Sequence, residues 1–95
     1  MSRLLRTDGM DIEVHPKNGK FTLEELYDLI GNGCDLIEIV MTDSHGVTMV
    51  VDEEGWLKDQ VFLNGRATKW VNDNGVADTF IVGNAVLIDS DEMFD

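Results

Sequence analysis

A chain of 95 residues, 43% of them hydrophobic, has room for one folded domain and is too apolar for a disordered segment. Nineteen acidic residues against seven basic ones give a formal net charge of −12, which opposes direct binding to nucleic acid or to an anionic membrane. No apolar run approaches the roughly 20 residues that span a bilayer, so we expect a cytoplasmic protein without a membrane partner.

The first predicted element is a β-hairpin. Residues 3–7 read as a short strand, and Asp8-Gly9 is a strong hairpin signal. The next strand alternates, with Ile12 and Val14 on one face, and Pro16 ends it or places it at an edge of the sheet.

The clearest predicted helix covers about residues 22–31. Thr22 and Glu25 have the spacing of a capping box, in which each side chain satisfies a backbone N–H of the first turn. The apolar stripe of this helix has the spacing i, i+3, i+4 and i+7, and it consists of Leu23, Leu26, Tyr27 and Ile30. Gly31 or Gly33 can end the helix in a left-handed conformation.

The second half of the chain alternates strands, turns and one short helix. Residues 36–42 and 47–53 predict an antiparallel hairpin around "DSHG", and Trp56-Leu57 suggests a further short strand. Asn64 can cap a second helix over about 64–72. Residues 79–88 predict the last strand, and Gly83 within it indicates a bulge or close packing.

These elements predict an α+β fold with a small, mostly antiparallel β-sheet. Strands joined by tight turns favour antiparallel pairing, and the first helix would cover one face of the sheet. We assign residues 1–88 to a single α+β domain and residues 89–95, "DSDEMFD", to an acidic C-terminal tail. The strand order does not follow from the sequence.

Four stretches of the chain resemble the DUF3846 family, an uncharacterised group carried largely by phages, plasmids and conjugative elements. The stretches are "FTLEELYDLIG", "DLIEIVM", "VVDEEGWLKDQVFLNGRAT" and "FIVGNAVLI". The third is the most specific, because it combines an acidic-Gly turn with Asn64, Ala67 and Thr68 at characteristic spacing. Gly65 follows Asn64 here, whereas many members have a proline nearby. The resemblance implies an origin in a mobile element and no catalytic residues.

The sequence gives little support for enzymatic chemistry. His15 and His45 lack the spacing of zinc ligands, and we expect no metal site and no cofactor. A Cys34–His45 pair would need an orienting partner that no spacing suggests. No glycine-rich phosphate loop is present. We therefore expect a protein that is not an enzyme.

The first functional hypothesis is a small acidic protein that binds and inhibits a host protein with a basic surface, such as a defence or nucleic-acid-binding protein. The net charge of −12 motivates it, since complementary charge speeds association. Plain solubility and adaptation to a salty host are competing explanations of the charge. The candidate acidic face consists of Glu13, Glu24, Asp28, Glu38, Asp43, Glu53 and Glu54.

The second hypothesis is an oligomeric protein that sequesters a nucleotide immune signal. Three of the seven basic residues, Lys58, Arg66 and Lys69, fall close together in the chain, and the start of a helix favours an anion. The candidate ligand-binding residues are Asn64, Arg66, Lys69, Trp56 and Trp70, and subunits that assemble could pool their basic groups. An accessory regulatory domain unrelated to defence is a third hypothesis.

Overall fold

The computed structural model describes residues 1–94, which form one five-stranded sheet with a helix on each face. The strands and helices are β1 (Ser2–Leu5), β2 (Asp11–Val14), α1 (Leu23–Ile30), β3 (Ile37–Thr42), β4 (Thr48–Asp52), α2 (Gly65–Asp73) and β5 (Ala85–Ile88). All neighbouring strands are antiparallel, in the order β2-β1-β5-β4-β3. The predicted α+β class with a small antiparallel sheet is confirmed.

The two central strands explain the layered architecture. Every residue of β4 and β5 is buried. Because successive side chains of a strand point to opposite sides of the sheet, both sides must be covered. We call the two sides the α1 face and the α2 face. The α1 face packs Leu26 and Ile30 on Val50, Val86 and Ile88. Full burial of one such side chain contributes about 1.5–3 kcal/mol.

On the α2 face, the second helix covers the other half of the core. Ala67 and Val71 are fully buried and belong to one apolar cluster with residues of β1, β4 and β5. The residues that these strands contribute are Leu5, Met49, Val51, Ala85 and Leu87. The second predicted helix is thus present, at Gly65–Asp73.

Local signals place α1 as predicted. Thr22 Oγ1 accepts from the Glu25 N–H at 3.1 Å, and Glu25 Oε1 accepts from the Thr22 N–H at 2.9 Å, so the capping box is complete. The backbone N–H groups of Thr22 and Lys17 hold the pKa of Glu25 below its usual value. Gly31 ends the helix with φ of 71°.

Three of the strand predictions are wrong in extent or in type. The first strand is Ser2–Leu5, so it ends two residues before the predicted end at Thr7. The last strand covers only Ala85–Ile88, because Gly83 turns the chain with φ of 75° and the preceding residues pair elsewhere. The Asn64 N–H donates to the Ile81 carbonyl and the Gly83 N–H donates to the Phe62 carbonyl, both at 2.8 Å. Residues 55–57 form a 3₁₀ turn instead of a strand, with Trp56 and Leu57 exposed and Gly55 buried.

The end of the chain is packed against the α1 face. Residues 90–92 form a 3₁₀ turn, and Met93 and Phe94 contact the apolar cluster. The Phe21 N–H donates to the Glu92 carbonyl at 3.0 Å. Asp95, the last residue of the predicted tail, lies outside the described residues. Within residues 1–94, no helix has the length and apolar character needed to span a membrane.

Candidate functional site

The α2 face carries a groove over β3 and β4, with apolar residues at its base and aromatic and acidic residues around it. We call it the aromatic groove; its volume is about 190 Å³. The base consists of Val40, Val51, Ile81 and Val82, and the rim consists of Trp56, Phe80, Glu38 and Glu53.

The two aromatic rings are held by anchored backbone and are themselves exposed. Trp56 lies in the 3₁₀ turn, whose buried Gly55 packs beside Val82. Phe80 precedes Ile81, whose N–H donates to Thr68 Oγ1 at 2.9 Å. Trp56 is 64% exposed and Phe80 is 60% exposed. Large apolar side chains that stay in water beside an apolar depression are typical of interaction sites.

Two of the three carboxylates that line the groove, Glu38 and Glu53, lack a cationic partner among residues 1–94, whereas the third, Asp52, is paired with Lys58. Glu38 lies opposite Val51 in the β3–β4 pairing, which places its side chain on the α2 face. Neither Glu38 nor Glu53 forms a salt bridge with another residue between 1 and 94. Their charges are therefore available to a partner.

A second depression lies on the α2 face beside β1 and β2, and we call it the cation pocket. Its volume is about 170 Å³, and it is lined by Arg3, Leu5, Asp11, Arg66, Lys69, Trp70 and Asp73. Its cations are already engaged. Arg3 forms a two-point ion pair with Asp11, and Lys69 Nζ lies 2.7 Å from Asp73 Oδ2. The Arg66 guanidinium donates to the Gly9 carbonyl.

Hydrogen bonding and charge in the cation pocket shift the pKa values of its ion pair. The hydrogen bond from Arg3 lowers the pKa of Asp11, and the same bond raises the pKa of Arg3. Each shift favours the charged form. The three cations and two carboxylates of the lining sum to a formal charge of +1.

The predicted ligand-binding residues are divided by the fold. Arg66, Lys69 and Trp70 meet in the cation pocket, whereas Trp56 lies in the aromatic groove. Asn64 is fully buried, and its amide is used within the fold. Its oxygen caps α2 by accepting from the Ala67 N–H, and its NH₂ donates to the carbonyls of Leu5 and Gly83 at 2.8 and 2.9 Å. Asn64 is therefore not available to a ligand.

Lys58 also belongs to the scaffold. It is 19% exposed in its side chain, and Nζ lies 3.3 Å from Asp52 Oδ2 and donates to the Gly33 carbonyl at 3.1 Å. Burial raises the pKa of the adjacent Cys34 thiol. Cys34 precedes β3 and His45 follows it, so the six-residue strand separates them by about 20 Å, and the Cys–His pair is not formed.

The seven predicted acidic residues do not share one face. Only Glu38 and Glu53 lie in the aromatic groove, and Glu54 begins the 3₁₀ turn beside it. Glu24 and Asp28 lie on α1, on the other side of the sheet. Glu13, on β2, contacts His15 just after the strand. Asp43 accepts hydrogen bonds from backbone N–H groups of the β3–β4 turn.

A metal ligand set can be assembled only at the end of the described chain. The carboxylates of Asp89, Asp91 and Glu92 have oxygens within 4.8 Å of one another. Two of them already have partners, since Asp89 pairs with the amino terminus and Glu92 accepts from Ser2 Oγ. These carboxylates therefore help to hold the two ends of the chain together.

Sequence reasoning did not find Phe80 or the groove itself. Phe80 is flanked by Thr79 and Ile81 in a run that reads as strand, and nothing local shows that its ring is outside the core. The signal that was present is the concentration of Glu53, Glu54 and Trp56 in one turn.

Comparison with known proteins bears on the family alone. A family model described as "Domain of unknown function (DUF3846)" matches residues 1–95. The match covers the whole chain and confirms the resemblance carried by the four sequence stretches. A search of the curated proteins and a search of the solved structures each found no match.

Proposed function

This chain belongs to the DUF3846 family, whose description names no activity, and we propose that it is a non-enzymatic module that binds and inhibits a basic protein of its host cell. The target class is a defence or nucleic-acid-binding protein of the cytoplasm, and the contact is centred on the aromatic groove. One observation carries the proposal: two exposed aromatic rings flank an apolar groove beside two carboxylates that form no salt bridge within residues 1–94, in a chain of net charge −12.

Each part of the groove supplies a different component of recognition. Trp and other aromatic side chains are prominent among interface hot spots, because they bury a large apolar area at low entropic cost. Glu38 and Glu53 select lysine or arginine, whose aliphatic stems can lie along Trp56 and Phe80. The field of the whole chain speeds the encounter with a basic partner.

By occupying the basic surface of a nucleic-acid-binding target, this protein competes with the nucleic acid and thereby inhibits the target. Basic surfaces that bind phosphates are the surfaces that a strongly acidic protein attracts. A complex of this kind blocks the nucleic acid without any chemical step. The acidic charge thus contributes to inhibition by attracting this protein to the basic surface of the target.

The nucleotide-sequestering hypothesis has weaker support in the geometry. The cations that would bind the nucleotide lie in the cation pocket, where they already contact Asp11, Asp73 and the Gly9 carbonyl. A phosphate therefore has to displace those partners. The net charge of −12 also repels a nucleotide. Calorimetry with a panel of cyclic nucleotides separates the two hypotheses. The third hypothesis, an accessory regulatory domain unrelated to defence, does not require inhibition of a host protein.

The test of the proposal is a paired affinity capture from a host extract. Wild-type protein, a Trp56→Ala/Phe80→Ala variant and a Lys69→Ala control are compared at about 0.1 M and about 0.5 M salt, which shortens the screening length from about 10 Å to about 4 Å. Captured proteins are identified by mass spectrometry. The main candidate is then purified, titrated with the three proteins, and assayed for nucleic-acid binding.

The proposal expects one basic protein that is retained at low salt and released at high salt. The groove variant should lose it, the Lys69→Ala control should keep it, and the purified complex should no longer bind nucleic acid. Affinity that is the same at both salt concentrations, or that survives loss of both aromatic rings, contradicts the proposal.

A further inference from the structure

We propose that the partner is bound as an added strand: a short extended segment pairs with the free edge of β3, beside the aromatic groove. This inference rests on the proposed function and specifies how the partner is recognised. Strand addition uses backbone hydrogen bonds for affinity and alternate side chains for specificity.

The edge of β3 has backbone groups that face away from the sheet. β3 is the last strand of the order β2-β1-β5-β4-β3, and the Leu36 carbonyl accepts from the Glu53 N–H at 2.9 Å. In an antiparallel pair, hydrogen-bonded and non-hydrogen-bonded positions alternate. Ile37 and Ile39 therefore direct their N–H and C=O groups outward, whereas Glu38 directs its groups to β4.

A bulge sets the length of the docking edge. The β3–β4 register shifts between Ile39 and Met41. A bulge twists the strand and interrupts pairing, so only the first half of β3 offers a regular edge. That half contains Glu38, which lines the aromatic groove. The free edge and the groove are thus one continuous surface.

The two edges of the sheet differ in how well they are protected. β2 has four residues and is soon followed by Pro16, and its Asp11 and Glu13 are engaged by Arg3 and His15. β3 has six residues without proline or lysine, the usual means of protecting an edge. Ile39 is 52% exposed there. The regular first half of β3, which is less protected than β2, is a template for another chain.

Charge and face alternation define the occupant. A partner residue beside Glu38 lies on the α2 face and should be lysine or arginine. Partner residues beside Ile37 and Ile39 lie on the α1 face, where Ile39 stands opposite Val50, and should be apolar. The expected segment is apolar–basic–apolar. A second copy of this chain fits poorly, since it would bring together two chains of charge −12.

The first experiment is selection from a library of random peptides of about ten residues, followed by amide hydrogen exchange of the complex by NMR. Selected peptides should be enriched in the apolar–basic–apolar pattern. In the free protein the Ile37 and Ile39 amides should exchange rapidly, and the selected peptide should slow both. The Glu38 amide, bonded to β4, is the internal control and should be protected throughout.

The second experiment uses a matched pair of variants at one position. Ile39→Pro removes the outward N–H, whereas Ile39→Thr keeps it and retains a β-branched side chain. We expect Ile39→Pro to weaken peptide binding by about tenfold or more relative to Ile39→Thr, the effect of one lost backbone hydrogen bond and a displaced neighbour. Amide exchange in wild-type protein decides the question even if Ile39→Pro does not fold.

The outcomes separate this inference from the proposed function. Basic peptides whose binding requires Trp56 and Phe80, without slower exchange at Ile37 and Ile39, overturn strand addition and leave the proposed function standing. Acidic or uncharged selected peptides contradict both. Failure to select any peptide overturns strand addition alone, because the capture experiment judges the proposed function independently.

Discussion

The aromatic groove and the cation pocket are depressions of similar volume on the same face of the sheet, about 190 and 170 Å³, yet they differ in how their charges are compensated. In the cation pocket, Arg3 and Lys69 have ionic partners and Arg66 has a carbonyl. In the aromatic groove, the described residues offer Glu38 and Glu53 no cation, and two aromatic rings remain in water.

This difference shows that a concentration of charge in the sequence is a poor guide to a site. Of the three basic residues that stand out near Trp56 and Trp70, Arg66 and Lys69 meet in the cation pocket, whereas Lys58 lies elsewhere and is held by a buried carboxylate. Groups that the fold has already paired gain little from a ligand, because each new contact replaces an old one. Unpaired groups next to apolar surface gain more.

The largest expected effect comes from the residue that supports both regions. Asn64→Ala removes the cap of α2 and leaves the carbonyls of Leu5 and Gly83 without a donor. We expect the free energy of unfolding to fall by about 3 kcal/mol, measured by urea denaturation. Asn18→Ala, in an exposed turn, should change it by less than about 0.5 kcal/mol. A loss below about 1 kcal/mol for Asn64→Ala would show that water replaces these bonds.

The comparison predicts that truncation of an aromatic ring weakens partner binding in the aromatic groove but lowers stability in the cation pocket. Trp56→Ala and Phe80→Ala should each weaken binding of the captured partner by about 2 kcal/mol, roughly thirtyfold, because they remove exposed hot-spot rings. Stability should change little, since both rings are mostly in water. Trp70→Ala, in the cation pocket, should instead lower stability. Isothermal titration and thermal melts of the same samples separate the two effects.

Lys58 should matter to stability because its partner is buried. Lys58→Met leaves the Asp52 carboxylate, 4% exposed in its side chain, without a cation, and we expect a loss of about 2 kcal/mol. Adding Asp52→Asn should recover part of that loss, since the amide oxygen can still accept from the Glu54 N–H. A double-mutant cycle measures this coupling. Additive losses would mean that the two groups do not interact.

Removing the acids of the cation pocket should turn it toward the behaviour that the nucleotide hypothesis requires. The double change Asp11→Asn/Asp73→Asn leaves Arg3 and Lys69 without their carboxylate partners and removes both negative charges beside Arg66. We expect binding of ATP, followed by calorimetry, to become about tenfold tighter than in wild type. Equal nucleotide binding in both proteins would show that compensation by these acids is not what limits the pocket.

The smallest expected effect is the pH dependence of the Arg3–Asp11 pair. The pKa of Asp11 is lowered in the folded state, so its stabilisation is complete above the unfolded-state pKa of about 4 and is lost as the pH falls through the lower folded-state pKa. The pair is largely exposed, and its contribution at neutral pH should be below about 1 kcal/mol. Asp11→Asn should therefore match wild type at the acid end of a stability profile and fall slightly below it at neutral pH.

Features that depend on residues close in the chain could be predicted before the fold was known. The capping box of Thr22 and Glu25 and the apolar stripe ending at Ile30 placed α1, and Asn64 placed the start of α2. Alternation and a four-residue turn predicted the β3–β4 hairpin. These signals are local, because a helix cap and a hairpin turn satisfy hydrogen bonds between residues close in the chain.

Tertiary structure decided what depends on residues far apart. β5 lies in the centre of the sheet between β1 and β4. The sequence predicts that this strand starts at residue 79, but the turn at Gly83 delays its start to Ala85. Asn64 and Lys58 become scaffold residues through contacts with Leu5, Gly83, Gly33 and Asp52. Trp56 and Phe80 become neighbours of Glu38 only when the sheet is assembled, because burial and pairing are properties of the folded surface.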